Sequence, residues 1–234
     1  MKVRIKFAKY GVMKYIGHLD IMRYFQKCMR KADVDIAYST GFSPHQIMSF
    51  ASPLGVGVES NGEYFDIELN SGSGVDVLNK LNSVMVDGMR IISVRKLPDG
   101  VKNAMASIAA ARYTVTMKEN FNQECDNIEK VKDFLERDNI IILKTTKKSE
   151  MEFDLKPHIY EFSYDGTSYR MLVDASSAGN IKPISVIEEY AKFCGIIIDA
   201  SKYQIIREEI YTEANDGTLI SLEDLGEEFW LIHL

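Results

Sequence analysis

The chain has 234 residues, 46% of them hydrophobic and 26% charged, and a formal net charge of −6. These proportions are those of an ordinary folded protein with room for two domains. They exclude a disordered chain and a membrane span, since no stretch approaches ~18 uninterrupted apolar residues, and an acidic total argues against loose coating of nucleic acid.

In chain order, Met1 to Phe7 sets Val3, Ile5 and Phe7 against Lys2, Arg4 and Lys6. That alternation predicts a strand with one apolar face and one basic face, and it lacks the apolar run of a signal peptide. Tyr10 to Tyr15 reads as a turn. Leu19 to Ala32 reads as a helix with Met22, Phe25, Met29 and Ala32 inward. Arg23, Lys27, Arg30 and Lys31 share its other side, and Asp20 lies in the first turn, where the helix dipole favours an anion. Nine basic residues fall within positions 1–31 against Asp20 alone, so the acidic chain carries a locally basic face suited to a polyanion.

Residues 37–58, rich in Ser, Gly and Pro, predict a long irregular arm, because Ser43-Pro44 and Ser52-Pro53 hold the chain extended. A strand is predicted over Glu63–Leu69, a helix over Val75–Val86 and a strand over Met89–Leu97. The order is β-α-β-β-α-β, the ferredoxin-like or split βαβ arrangement. Pro98-Asp99-Gly100 closes this domain, and Val101 to Ala110 reads as a linker or short helix.

The second half predicts strand Arg112–Lys118, helix Asn122–Asn139, strands at 140–143, 151–155, 158–164 and 168–174, a helix opened by a capping box at Ser185–Glu188, and strand Tyr203–Tyr211. The expected fold is therefore α+β, two tandem ferredoxin-like (split βαβ) domains over 1–105 and 106–234, the second with a C-terminal extension from Thr212. The three cysteines, Cys28, Cys125 and Cys194, are far apart and read as reduced thiols of a cytoplasmic protein. They have no Cys-x-x-Cys or cluster-holding spacing, and no metal or cofactor is expected.

The densest chemistry lies between Gly17 and Leu69. His18 precedes the first helix, and His45 ends a Gly-Phe-Ser-Pro-His loop. If the arm folds over the helix N-terminus, the two imidazoles meet there. They could contact phosphate, act as acid and base on RNA, or hold a metal with Asp20 or Glu59. The plainer alternative is that His18 caps the helix and His45 braces a turn. Tyr38, Phe42 and Phe50 would stack on bases beside the cationic residues, or pin the arm to the sheet. His158 and His233 have no partner visible in sequence, and Lys144, Lys147 and Lys148 form either a basic track or a solvated hairpin.

Gly17-His18-Leu19-Asp20, Arg23, Arg30, Tyr38-Ser39, Gly41-Phe42, Pro44-His45, Ser49-Phe50-Ala51, Pro53-Leu54, Glu59-Ser60 and Asp66-Ile67-Glu68-Leu69 together resemble a bacterial family of radical-SAM-associated, or radical-SAM-linked, proteins. The resemblance is strongest over about residues 1–70. It departs at Gln46 and Gly55, where the family carries proline. The family is a domain of unknown function, fused to or encoded beside cobalamin-binding radical-SAM proteins. It implies a radical-SAM protein as partner and no assigned catalytic residue. The function expected is an accessory RNA-binding protein, with Arg23, Lys27, Arg30, Lys31, Tyr38 and Phe42 on RNA and His18 and His45 at the centre. The alternatives are an RNA-processing enzyme using the two histidines and a protein-binding adaptor.

Overall fold

The computed structural model describes residues 1–118, 128–145 and 150–229. The fold is mixed α/β, dominated by sheet and with few helices. The chain divides into two compact units, Met1–Ala109 with Glu209–Leu234, and Ala110–Glu208. The residues from Glu209 onward, which the sequence reading attached to the domain at 106–234, thus belong with the first unit.

In the first unit, β1 (Lys2–Lys9) is followed by α1 (His18–Lys31), β2 (Met48–Phe50), β3 (Glu59–Glu68), α2 (Gly74–Asn82), β4 (Met89–Lys96) and the single-turn α3 (Ala104–Ser107). β1 pairs antiparallel with both β3 and β4, and β2 pairs antiparallel with β3. Val3, Ile5 and Phe7 of β1 meet Ile21, Phe25, Cys28 and Met29 of α1 and Val77 and Leu81 of α2 in one apolar core. The second helix ends at Asn82, short of the Val86 expected, and opens on Ser73, whose hydroxyl accepts the Asp76 N–H. Gly88 then turns the chain into β4 with φ +86°; a Cβ there would sit 2.6 Å from the Tyr10 carbonyl oxygen, so glycine is required.

The opposite face of β1 and β3 departs from expectation. The alternation at Met1–Phe7 suggests a basic face turned to solvent, yet Arg4 is only 1% exposed. Its guanidinium grips the Asp66 carboxylate through two hydrogen bonds of 2.8 and 3.0 Å. The Lys6 ammonium donates to Glu209 at 2.6 Å and Glu223 at 2.9 Å. Tyr64 donates its hydroxyl to Glu209, also at 2.6 Å. The cover comes from α3, from residues 209–213, from β11 (Leu219–Ser221) and from the 3-10 turn Leu222–Leu225, with Ile210, Leu222, Ala104, Ala51 and Tyr64 in a second small core. Both faces of β3 are consequently buried over most of its length.

The second unit runs β5 (Ala110–Met117), α4 (Ile128–Leu135), β6 (Ile141–Thr145), β7 (Glu150–Asp154), β8 (Ile159–Tyr164), β9 (Ser168–Asp174), α5 (Pro183–Phe193) and the start of β10 (Tyr203–Glu213). β9 lies between β5 and β8, antiparallel to both, while β6 and β7 form a hairpin of their own. Phe134, Phe162, Tyr169 and Tyr190 pack ring against ring at its centre. The capping box expected at Ser185–Glu188 is absent. α5 begins two residues earlier at Pro183, whose fixed φ suits the first helical position, and Ser185 lies inside the helix.

Candidate nucleic-acid interface

α1 places its charges as its spacing dictates. Ile21, Phe25, Cys28 and Met29 are buried, and Arg23, Lys27, Arg30 and Lys31 are all exposed. Arg23 bonds Asp20 at 3.2 Å, a solvated pair on one helix turn that adds little to stability. Lys27, Arg30 and Lys31 have no carboxylate within ion-pair distance among the described residues. Arg30 and Lys31 occupy the last turn, where the helix dipole favours cations. Of the other basic residues of the N-terminal stretch, all but the exposed Lys2 are used internally. Arg4 and Lys6 are paired as described, Lys14 bonds Glu59 at 2.9 Å, and the 2%-exposed Lys9 donates to the carbonyls of Lys14 and Ile16. Lys2 apart, the exposed positive charge of residues 1–31 thereby lies on one face of α1.

The arm has two parts. Phe50 is buried, stacked on Phe65 at 5.0 Å and near Phe7 and Phe25, so it pins the arm rather than offering a stacking surface. Phe42 is fully exposed at the tip beside Gly41, whose φ is +117°. Tyr38, half exposed, bridges to Gln46 across the base of this irregular hairpin, which begins a few residues past the C-terminus of α1.

The histidines do not share a cavity. His18 is the first residue of α1 and sets its ring edge-on against Phe50 at 5.6 Å. It lines a cavity of about 20 Å³, the size of one water, with Lys9, Ser52 and Glu63 among its walls. His45 is exposed. Its backbone N–H donates to the Ser39 hydroxyl, which also lies 2.8 Å from its Nδ1, while Ser39 N–H donates to the His45 carbonyl. This brace fixes the ring and leaves Nε2 without a protein partner among the described residues. His45 lines a separate cleft of about 260 Å³ that has no residue in common with the His18 cavity.

The second unit holds a pair that sequence spacing does not reveal. His158 Nδ1 lies 2.8 Å from the Asp174 carboxylate, and its ring stacks on Phe153. Burial pushes the Asp174 carboxyl up, but hydrogen bonds from Ser176 and His158 outweigh this and hold it below the usual range. Gly179 stands so close to that carboxylate that any side chain would collide with it. Lys144 sits over the Phe153 ring and donates to the Gly179 carbonyl. Cys125, Lys147, Lys148 and His233 lie outside the described residues. Among the described residues, no group of three or more His, Cys, Asp or Glu side chains is placed to hold a metal.

A bacterial family profile, DUF2344, matches residues 2–183. The chain belongs to this family. Its description is an uncharacterized protein conserved in bacteria. The DUF2344 match covers α1, the arm and both histidine cavities, and it stops at the first residue of α5, before the segment that completes the first unit. No curated protein matches the chain. Among solved structures, a chain from a Cbf5-Nop10-Gar1 complex is similar over 89% of this chain and 48% of its own length, at 9% identity and a TM-score of 0.44. The present chain thus spans about half of that neighbour.

Proposed function

We propose that the protein is an accessory RNA-binding protein that works beside a radical-SAM partner. The observation that carries this reading is the cationic face of α1. In a chain of net charge −6, Lys27, Arg30 and Lys31 stay exposed and, among the described residues, unpaired, while Arg4, Lys6 and Lys14 are consumed in the interior. A phosphate backbone is the ligand class that such a local field selects. The exposed Phe42 and Tyr38, on the hairpin that follows the same helix, supply faces for unstacked bases. The radical-SAM partner comes from the family resemblance. The exposed apolar side chains Val12, Tyr15 and Leu19, at the N-terminal end of α1, are suited to a protein contact. The antiparallel order β4-β1-β3-β2 in the first unit, and the corresponding β10-β5-β9-β8 in the second, support reading both as split βαβ units, the second with the β6–β7 hairpin inserted.

The test is RNA affinity measured over a range of salt concentrations. Arg23→Ala, Lys27→Ala and Arg30→Ala should each weaken binding of single-stranded RNA without changing sequence preference. Each should also lower the salt slope by about 0.7, one phosphate contact. Parent protein that binds no RNA, or variants that bind like the parent, would remove the reading and leave a protein-binding adaptor.

A further inference from the structure

The cleft lined by His45 lies on the face of β1 and β3 away from α1. Its floor carries Lys2 and Glu68, register partners on these strands, with Asp66 two residues along. Ile47, Met48 and Ser49 form one wall, and Leu97, Val101 and Asn103 form the other. The walls are tied down by backbone and capping bonds. Leu97 N–H donates to the Lys2 carbonyl at 3.0 Å and Ala104 N–H to Asp66 at 2.8 Å, while the Asn103 side chain accepts from Ala106 N–H. Ile47 is held through Ala37 and Glu68. A cleft of about 260 Å³ with fixed walls, in which apolar side chains alternate with polar ones, is a small-ligand site already formed.

The polar groups decide what fits. Asp66 is fully occupied by Arg4 and Ala104. Glu68 is half-buried, and its carboxylate has no hydrogen bond or ion pair among the described residues. It is an acceptor without a donor, placed between the two walls. Lys2 and His45 are exposed cationic or donor groups on the same cleft, and neither Lys2 Nζ nor His45 Nε2 has a partner among the described residues. The ligand must fit a cleft of about 260 Å³, must present N–H donors to a carboxylate, and must carry an anion outward.

We propose that this cleft takes one unstacked nucleobase bearing an exocyclic amino group, with Glu68 accepting from that amino edge and Lys2 and His45 meeting its phosphate. The proposal rests on the RNA reading above and extends it: α1 holds backbone, and the cleft reads one base. It also gives His45 a positioning task that needs no partnership with His18.

The test is titration of the whole protein with GMP, AMP, CMP and UMP, followed by amide chemical shifts. The three amino-bearing nucleotides should shift residues 45–49 and 97–103, and UMP should bind at least fivefold more weakly. Glu68→Gln should erase that difference. Val101→Trp, which fills the cleft, should weaken binding of all four nucleotides tenfold or more. Thermal unfolding of both variants checks that they remain folded. Equal binding of all four nucleotides, no binding by the parent, or folded variants that bind as the parent does would each overturn the proposal. Nucleotide binding by a parent that ignores RNA would leave the cleft standing and remove the RNA reading. Loss confined to Arg23→Ala and Lys27→Ala on RNA, with mononucleotide binding intact, would show the two sites to be separate as proposed.

Discussion

Asp66→Asn should be the most damaging conservative change in the first unit. The parent carboxylate accepts three bonds, from Arg4 Nε at 2.8 Å, from a second Arg4 nitrogen at 3.0 Å and from Ala104 N–H at 2.8 Å. Asparagine keeps one acceptor oxygen, but it removes the negative charge and turns an N–H₂ toward a guanidinium that is 1% exposed. The cation then keeps only neutral acceptors, among them the Leu222 and Lys102 carbonyls, and has no counter-charge, a situation that costs about 3–5 kcal/mol. Against a typical total of about 5–15 kcal/mol, that leaves the unit marginal. Arg4→Met combined with Asp66→Leu removes both charges and should cost less, about 1–3 kcal/mol, chiefly for the Ala104 N–H left unsatisfied. Urea unfolding of the parent, the single variant and the double variant measures both values. A single variant within about 1 kcal/mol of the parent, or a double variant worse than the single, would refute the claim that charge compensation dominates here.

Phe50→Ala should cost about 3–5 kcal/mol, because it opens a hole among Phe7, Phe25 and Phe65, whereas Phe42→Ala should stay within about 0.5 kcal/mol; urea midpoints separate the two. Stability should also have a plateau in pH. Burial pushes the Glu223 carboxyl up, but Lys6 and Arg95 beside it outweigh that and hold it below the usual range, so its folded form binds fewer protons than the unfolded chain in acid. Its contribution is present above about pH 4.5, the unperturbed value, and is lost as pH falls through the depressed one. Burial alone would push the Lys6 ammonium down, yet Glu209 and Glu223 raise it, so its contribution holds below pH 10.5 and fades as pH rises through the raised value. Unfolding curves from pH 3 to 11 should therefore fall at both ends, with a smaller acid-side loss in Glu223→Gln.

Local periodicity made α1 legible. The spacing of Phe25 and Met29 against Arg23, Lys27 and Arg30 gives the buried and exposed faces directly, because both depend only on helical geometry. The status of β1 was not legible. Its charged face reads as solvated unless one knows that Glu209 and Glu223, more than 200 residues away, fold back over it. The same limit hides the His158–Asp174 pair, which arises from a turn beside β8 and the end of β9 and from no shared motif. The aromatic arm was readable only as a set. Phe42 and Phe50 have similar surroundings in sequence, and only the register of β2 on β3 sends one into the core. At α5 a local signal misled, because Pro183 starts the helix before the serine that resembles a cap. His18 and His45 looked like one site because both lie near the helix and the arm. The brace from Ser39 and the seating of Phe50 instead assign them to separate cavities.

The return of residues 209–229 to the first unit has a consequence for biosynthesis. On a translating ribosome, the residues of the middle unit are all made before the first unit has its last strand. Lys6 waits 203 residues for Glu209 and 217 for Glu223. At about 5–20 residues per second, that is roughly 10–40 s with a basic strand face uncovered. The unit that starts first is therefore the one that can finish last. Ala109 and Tyr211, joined by a backbone hydrogen bond, mark where the nascent chain leaves it and returns. A nascent chain stalled before residue 209 would present Arg4, Lys6 and Tyr64 without the segment that covers them, a natural surface for a chaperone to hold.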